Sequence, residues 1–153
     1  MIVLRGDGYL FCEYCSTFHF PTESRDRVRV LGESSGFHCP VCKVRLVLAR
    51  ISDAEVLHCP RCRGILMMQL FFSHVVKDLR AQASGPPRRS KPLNPDDLKR
   101  SIHCPHCDRS MVTHPYYGPG SVVIDRCSHC DLIWLDRGEL STIIDAPGRD
   151  RPW

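Results

Sequence analysis

All ten cysteines of this 153-residue chain fall into Cys-x-x-Cys pairs: Cys12/Cys15, Cys39/Cys42, Cys59/Cys62, Cys104/Cys107 and Cys127/Cys130. A disulfide framework has no reason to repeat one spacing five times, whereas a tetrahedral metal ion is well served by tight knuckles that each offer two sulfurs. The last two pairs stand nineteen residues apart, with a Tyr-Tyr-Gly-Pro-Gly-Ser turn midway and β-branched residues before the second pair. That layout predicts a β-hairpin whose two ends bring Cys104, Cys107, Cys127 and Cys130 onto one ion. Zinc is the expected metal, and iron suits the same sulfurs.

The preceding stretch repeats this unit. Cys39 and Cys42 match Cys104 and Cys107 at an offset of 65, and Cys59 and Cys62 match Cys127 and Cys130 at an offset of 68. The difference falls in the turn, where Ile51-Ser52-Asp53-Ala54 faces the longer Tyr-Tyr-Gly-Pro-Gly-Ser segment. Beyond the last cysteine of each copy the offset of 68 persists, pairing Ile65 with Ile133, Leu66 with Trp134 and Phe72 with Leu140. The simplest account is an internal repeat of a hairpin followed by a helix. In the second copy Asp136 and Glu139 form a capping-box pair ahead of Leu140, Ile143 and Ile144. In the first, Met68, Phe72, Val75, Val76 and Leu79 make a longer helical stripe. Each stripe is expected to pack on its own hairpin.

The second copy resembles the transcription factor IIB-type zinc ribbon. Cys104, Pro105, Cys107, Cys127 and Cys130 carry the resemblance, with the trailing run from Trp134 to Leu140. It implies a small, zinc-stabilised, mainly β fold with short helices: tandem ribbons of hairpin and knuckles, each followed by a helix. It implies a transcription-linked interaction only by analogy of fold. The expected organisation is an N-terminal knuckle and hairpin over 1–38, packed on a first ribbon with its helix over 39–80. A Pro-rich linker over 81–100 leads to a second ribbon with its helix over 101–153. Modules of this size bury little apolar surface, and a structural zinc site contributes on the order of 10 kcal/mol to folding.

Two of the ribbon features meet a local obstacle. The residue after the second cysteine of a knuckle turns left-handed and favours glycine, yet Ser16, Lys43, Arg63, Asp108 and Asp131 stand there. Aspartate tolerates that conformation better than lysine or arginine, which predicts looser knuckles in the first copy. His38, His58 and His103 each precede a cysteine and are expected to orient the site by hydrogen bonds. His106 and His129, inside knuckles, are expected to face solvent, and His74 and His114 to lack a partner at ligand spacing.

Five pairs cannot be divided into closed four-sulfur sites within one chain, so Cys12/Cys15 is the odd pair. Cys12 and Cys15 could also close on Cys39/Cys42 and leave Cys59/Cys62 over, although the repeat favours the later pairing. Three fates are open to the odd pair: a third zinc held with His19 and another histidine such as His38, a four-thiolate site shared across a homodimer, or a free dithiol. Two zinc ions are therefore expected, with room for a third.

No nucleophile with a base, phosphate-cradling loop or three-ligand zinc pattern stands out, which favours a non-enzymatic adaptor for a protein or nucleic-acid partner. The alternative is a thiol or metal-handling protein acting through Cys12/Cys15. The formal charge of +4 falls to about 0 once two ions each bind four thiolates. Lys43, Arg61, Arg63, Arg109 and Arg126 flank the knuckles, where they offset thiolate charge. Residues 104–153 hold five basic and seven acidic side chains, which disfavours phosphate binding there. Tyr116, Tyr117 and Trp134 are candidate contact residues, with Trp134 expected to be buried. The sequence shows no apolar span and no signal-like start, so no membrane and a reducing cytoplasm are expected.

Overall fold

The computed structural model describes residues 26–152, together with the strands β1 (Ile2–Arg5), β2 (Tyr9–Cys12) and β3 (Thr17–His19), which pair in order as an antiparallel sheet. Seven further strands follow: β4 (Arg29–His38), β5 (Arg45–Ile51), β6 (Ala54–His58), β7 (Ile65–Met68), β8 (Val112–Pro115), β9 (Val123–Cys127) and β10 (Leu132–Leu135). The helices are α1 (Gln69–Gln82) and α2 (Glu139–Asp145), and a 3-10 turn spans Pro95–Lys99. No helix among the described residues is long and apolar enough to cross a membrane.

The two ribbons fuse into one antiparallel sheet of order β4-β5-β6-β7-β10-β9-β8. Their joint is β7 against β10, with Ile65 opposite Leu135, Leu66 opposite Trp134 and Met67 opposite Ile133. At the offset of 68, Leu66 therefore faces its own equivalent, and each flanking pair is the image of the other. A local pseudo-two-fold axis passes through the Leu66/Trp134 pair, so two short four-residue strands become the middle of a sheet with no exposed edge between the copies.

Side chains alternate across this joint. Ile65, Met67, Ile133 and Leu135 enter a core with Phe72, Val75, Val76 and Leu79 of α1 and Leu140, Ile143 and Ile144 of α2. Leu66 and Trp134 point the other way, into a second core with Leu46, Ile102, Met111 and the first cysteine of each of the four knuckles. Each helical stripe thus packs into one core shared by both copies, not on its own hairpin. Met68, which the helical period groups with the α1 stripe, instead ends β7 and is 48% exposed.

Distant residues terminate the helices. The first N–H of α1, on Gln69, donates to the Asp131 carbonyl of the other ribbon at 2.8 Å. At α2, Glu139 accepts from the Asp136 N–H at 2.8 Å, which is half of the expected capping box. The other half is supplied from elsewhere: Asp26 accepts from Gly138 N–H at 2.7 Å and Ser141 N–H at 3.0 Å. The Asp136 carboxylate is engaged by the Trp134 indole N–H at 3.2 Å and by Arg100. At the other end, the fully buried Arg80 of α1 donates to the carbonyls of Ile143 and Ala146, and bidentately to Asp150.

The segment from Gly32 to Gly36 lies within β4. Its ladder to β5 shifts register between Val30 and Ser34 and again between Ser34 and His38. Gly32 takes a φ of 89°, and such irregularities suit an edge strand.

Candidate metal centres

Each ribbon places one cysteine pair after its opening strand or bridge and the other after its central strand. Cys39 follows β4, Cys59 follows β6 and Cys127 closes β9, while Cys104 follows the isolated bridge between His103 and Ser110. The chain then turns back through a knuckle. In three knuckles the turn closes on the first cysteine: Lys43 N–H donates to Cys39 O, Arg63 N–H to Cys59 O, and Asp108 N–H to Cys104 O, at 2.9 to 3.0 Å. The residue after the second cysteine is left-handed in all four described knuckles, with φ of 64° at Lys43, 61° at Arg63, 61° at Asp108 and 55° at Asp131.

The first ribbon is therefore not looser than the second. Left-handed backbone costs a non-glycine residue about 1–2 kcal/mol, and a zinc–thiolate site contributing on the order of 10 kcal/mol outweighs two such residues. Lys43 recovers part of the cost by donating from Nζ to the Pro40 carbonyl at 3.1 Å.

The result is two clusters, Cys39/Cys42/Cys59/Cys62 and Cys104/Cys107/Cys127/Cys130, with all four sulfurs of each within 4.8 Å of one another. Cys39 and Cys62 sulfurs stand 3.7 Å apart, and Cys107 and Cys127 sulfurs 3.6 Å apart. Zinc–sulfur bonds of about 2.3 Å at tetrahedral angles require about 3.8 Å, so the cages are of the right size. In both, the first cysteine of each pair is buried and the second half-buried.

The ligand set expected from sequence is larger than these eight cysteines, because it also holds Cys12 and Cys15. Among the described residues, each quartet is made of the four sulfurs of its own ribbon. The first quartet follows the pairing that the repeat favours, with Cys59/Cys62 brought onto Cys39/Cys42. The physical reason is the β5–β6 hairpin, which carries Cys59/Cys62 back to Cys39/Cys42 and fills all four tetrahedral positions. Cys15 itself lies outside the described residues, and Cys12 and His19 are described only as backbone, at the end of β2 and of β3. The expectations of a third zinc held by Cys12, Cys15 and His19, and of a dimer through that region, therefore fall outside the described side chains.

The electrostatics also fit a dication. Hydrogen bonds from Cys59 and Cys62 hold the Cys39 thiol far below its ordinary value, and the bond to Cys39 pushes Cys59 and Cys62 up. Four sulfurs in contact cannot all ionise by themselves. A central Zn2+ removes that conflict, and backbone N–H groups of Val41, Cys42, Cys62, His106 and Cys130 donate to the sulfurs at 3.2–3.4 Å.

The family model described as "Transcription factor zinc-finger" matches residues 38–70 and 103–146, together just over half of the chain. The chain belongs to the transcription factor IIB-type zinc-ribbon family. No curated protein and no solved structure matches it. Each match covers one cysteine quartet with its β7 or β10 continuation, so the protein is a tandem zinc-ribbon chain that holds two zinc ions. With four thiolates per ion, neither zinc keeps a position for water, and both serve the fold.

The histidines take several parts around the ribbons. His58 is buried, and burial followed by the charge of Arg63 lowers its pKa to about 4, so it stays neutral beside Cys59. His103 meets the Asp108 carbonyl through Nδ1 at 2.9 Å, bracing the left-handed turn. His106 is exposed, yet its Nδ1 lies 3.2 Å from the Cys130 sulfur across the site, a contact that the expectation of a purely solvent-facing ring does not include. His38 is exposed on β4. His74 does have partners, Asp78 one helical turn on and Asp53 in the β5–β6 turn; the i,i+4 spacing to Asp78 is the signal in the sequence.

Trp134 is fully buried, at 0% exposure, beneath the ribbon joint. Gly64 makes room for it: a Cβ there would stand 2.1 Å from the indole. Of the other aromatic candidates, Tyr117 is 86% exposed and Tyr116 packs edge-on against Phe72 at 5.4 Å.

Proposed function

We propose that the protein is a non-enzymatic adaptor in which two zinc ribbons hold an apolar docking surface for a protein partner. The observation that carries this reading is the groove between the ribbons on the knuckle side of the sheet. It measures about 530 Å3 and is walled by Phe37, Leu57, Leu66, Met68 and Leu132, with His106 and Cys130 of the second zinc site also lining it. Among the described residues its lining holds one carboxylate, Glu55, and no lysine or arginine. Phosphate binding depends on clustered cations, so the charge of the groove favours an apolar protein segment over nucleic acid. The family to which the chain belongs supports a transcription-linked partner by analogy of fold. Both four-thiolate zinc sites lack a vacant position, which supports a structural role for the metal.

A photo-crosslinking residue at Met68 of the full chain tests this reading, with the same residue at Val112, exposed on the edge strand β8, as control. The reading expects one discrete protein adduct from position 68, lost when Leu57→Asp is added and absent from position 112. Equal capture from both positions, or tight binding of generic duplex DNA or RNA with a steep salt dependence, overturns it.

A further inference from the structure

Among the described residues one metal-ligating cluster lies apart from the two cysteine quartets. His74 of α1 places Nε2 3.1 Å from the Asp78 carboxylate and 3.9 Å from that of Asp53. The three donor atoms all lie within 4.8 Å of one another. We propose that Asp53, His74 and Asp78 form a third metal site that takes an exchangeable divalent transition-metal ion, through one imidazole nitrogen and two carboxylate oxygens.

The placement is set by two rigid elements. His74 and Asp78 are four residues apart on a 14-residue helix, which puts both donors on one face. Asp53 is the second residue of a two-residue hairpin turn, since Ile51 pairs with Ala54 and Ser52 takes a φ of 54°. The α1 helix packs on the sheet through Phe72, Val75 and Val76, and that packing fixes the turn against the helix. Bonds of about 2.1 Å to nitrogen and oxygen place neighbouring donors roughly 3.0–3.4 Å apart. The His74–Asp78 separation of 3.1 Å already matches, and the exposed Asp53 carboxylate, 3.9 Å from His74, has to close onto the other two donors by roughly an ångström.

Three further observations distinguish this cluster from an ordinary helix ion pair. First, two carboxylates converge on one imidazole, a set of donors whose negative charge a divalent cation offsets. Second, a cleft of about 570 Å3 adjoins Asp53 and His74, walled by Arg50, Ala54, Leu70 and Phe71. An ion with three protein donors keeps positions for water or for an anionic ligand from that cleft, unlike the closed ribbon sites. Third, the donors are confined to one copy of the repeat. At the offset of 68, Thr142 stands in place of His74 and Ala146 in place of Asp78, and the second turn is longer. The site is thus an addition to the first ribbon and not part of what the ribbon fold requires.

The test is equilibrium dialysis of the zinc-replete full chain against micromolar Zn2+, counting ions bound beyond those retained after exhaustive dialysis. Using zinc itself avoids exchange at the four-thiolate sites. His74→Ala, Asp53→Asn and Asp78→Asn are compared with a Cys12→Ser/Cys15→Ser control, which removes the other thiols able to take an extra ion. The expected result is one additional exchangeable zinc whose affinity falls by about tenfold or more in each of the three variants and is unchanged in the control. His74 and Asp53 are exposed, so unchanged circular dichroism verifies that the variants fold. An extra zinc that survives His74→Ala, or responds to His74→Ala but not to Asp53→Asn, overturns the three-donor site. So does the absence of any additional zinc.

Discussion

The fused sheet rests on a steric complement between the copies, and Gly64→Ala breaks it. A Cβ built on Gly64 would stand 2.1 Å from Cζ2, 2.5 Å from Cη2 and 2.9 Å from Cε2 of Trp134. Carbon atoms in optimal contact are about 3.5–4.0 Å apart, so the methyl overlaps the ring by more than an ångström. The ring has no retreat, being fully buried with its N–H held by Asp136 at 3.2 Å. Overpacking a core costs about 1–3 kcal/mol. With three close contacts and an anchored ring, the upper end is expected, about 3 kcal/mol, or a fall of roughly 10 °C in Tm. The assay is urea unfolding under a fixed excess of zinc, because apparent stability depends on metal concentration. Trp134→Leu, which restores the leucine of the other copy, supplies the second arm. Alone it leaves a cavity and costs about 3 kcal/mol. Combined with Gly64→Ala it fills that space, so the double variant should be more stable than the sum by at least about 1.5 kcal/mol. A Gly64→Ala protein within about 0.5 kcal/mol of the parent, or strict additivity in the cycle, would refute the packing argument.

Three other perturbations probe the remote contacts. Asp26→Ala removes two buried hydrogen bonds to the start of α2 and should cost about 2 kcal/mol, read as early hydrogen exchange of Gly138 and Ser141. Arg80→Met leaves the Ile143 and Ala146 carbonyls unpaired and should cost about 3 kcal/mol by urea unfolding, whereas Asp150→Asn should cost less because Asp150 reaches solvent. Glu139 is pushed up to about 9 by burial and by the neighbouring Asp136, with Asp125 adding to the effect and Arg100 opposing it. Unfolding therefore releases its proton between its ordinary value of 4.5 and about 9, and stability falls as pH rises through that window. The fall is at most about 1.4 kcal/mol per pH unit. Glu139→Gln should flatten the dependence between about pH 6.5 and 9, and an unchanged slope would show that Glu139 ionises in the folded protein.

What is legible in the sequence is what short-range spacing controls. The Cys-x-x-Cys interval dictates a knuckle, the nineteen residues between Cys107 and Cys127 suit a hairpin, and the offset of 68 exposes the repeat. Contacts between copies leave no such trace. That Leu66 meets Trp134 follows from the pseudo-two-fold pairing of β7 with β10, and neither strand carries a signal for its partner. Asp26 caps a helix 112 residues away and Arg80 closes one more than 60 residues on, both invisible to local capping rules. Met68 escapes a periodicity argument because a strand running directly into a helix keeps its last residue in phase with the helical stripe. Lys43 and Arg63 look like weak points by intrinsic preference, which the metal overrides. Spacing alone also leaves Cys12 and Cys15 as rivals for Cys39/Cys42. The pairing of β5 with β6 brings Cys59/Cys62 to Cys39/Cys42, and strand pairing is not written in the interval between cysteines.

The central claim is that two closed four-thiolate sites, each private to one ribbon, fold the protein. Titrating the metal-free, reduced chain with Co2+ tests it, with visible thiolate-to-metal absorbance and circular dichroism followed together. The account predicts two equivalents bound at Cys39/Cys42/Cys59/Cys62 and Cys104/Cys107/Cys127/Cys130, with ordered structure appearing alongside them. Cys59→Ser should lose the first equivalent and Cys127→Ser the second. Binding that leaves the chain unfolded, or a Cys59→Ser variant that keeps both tetrahedral thiolate sites by recruiting Cys12 and Cys15, would contradict it.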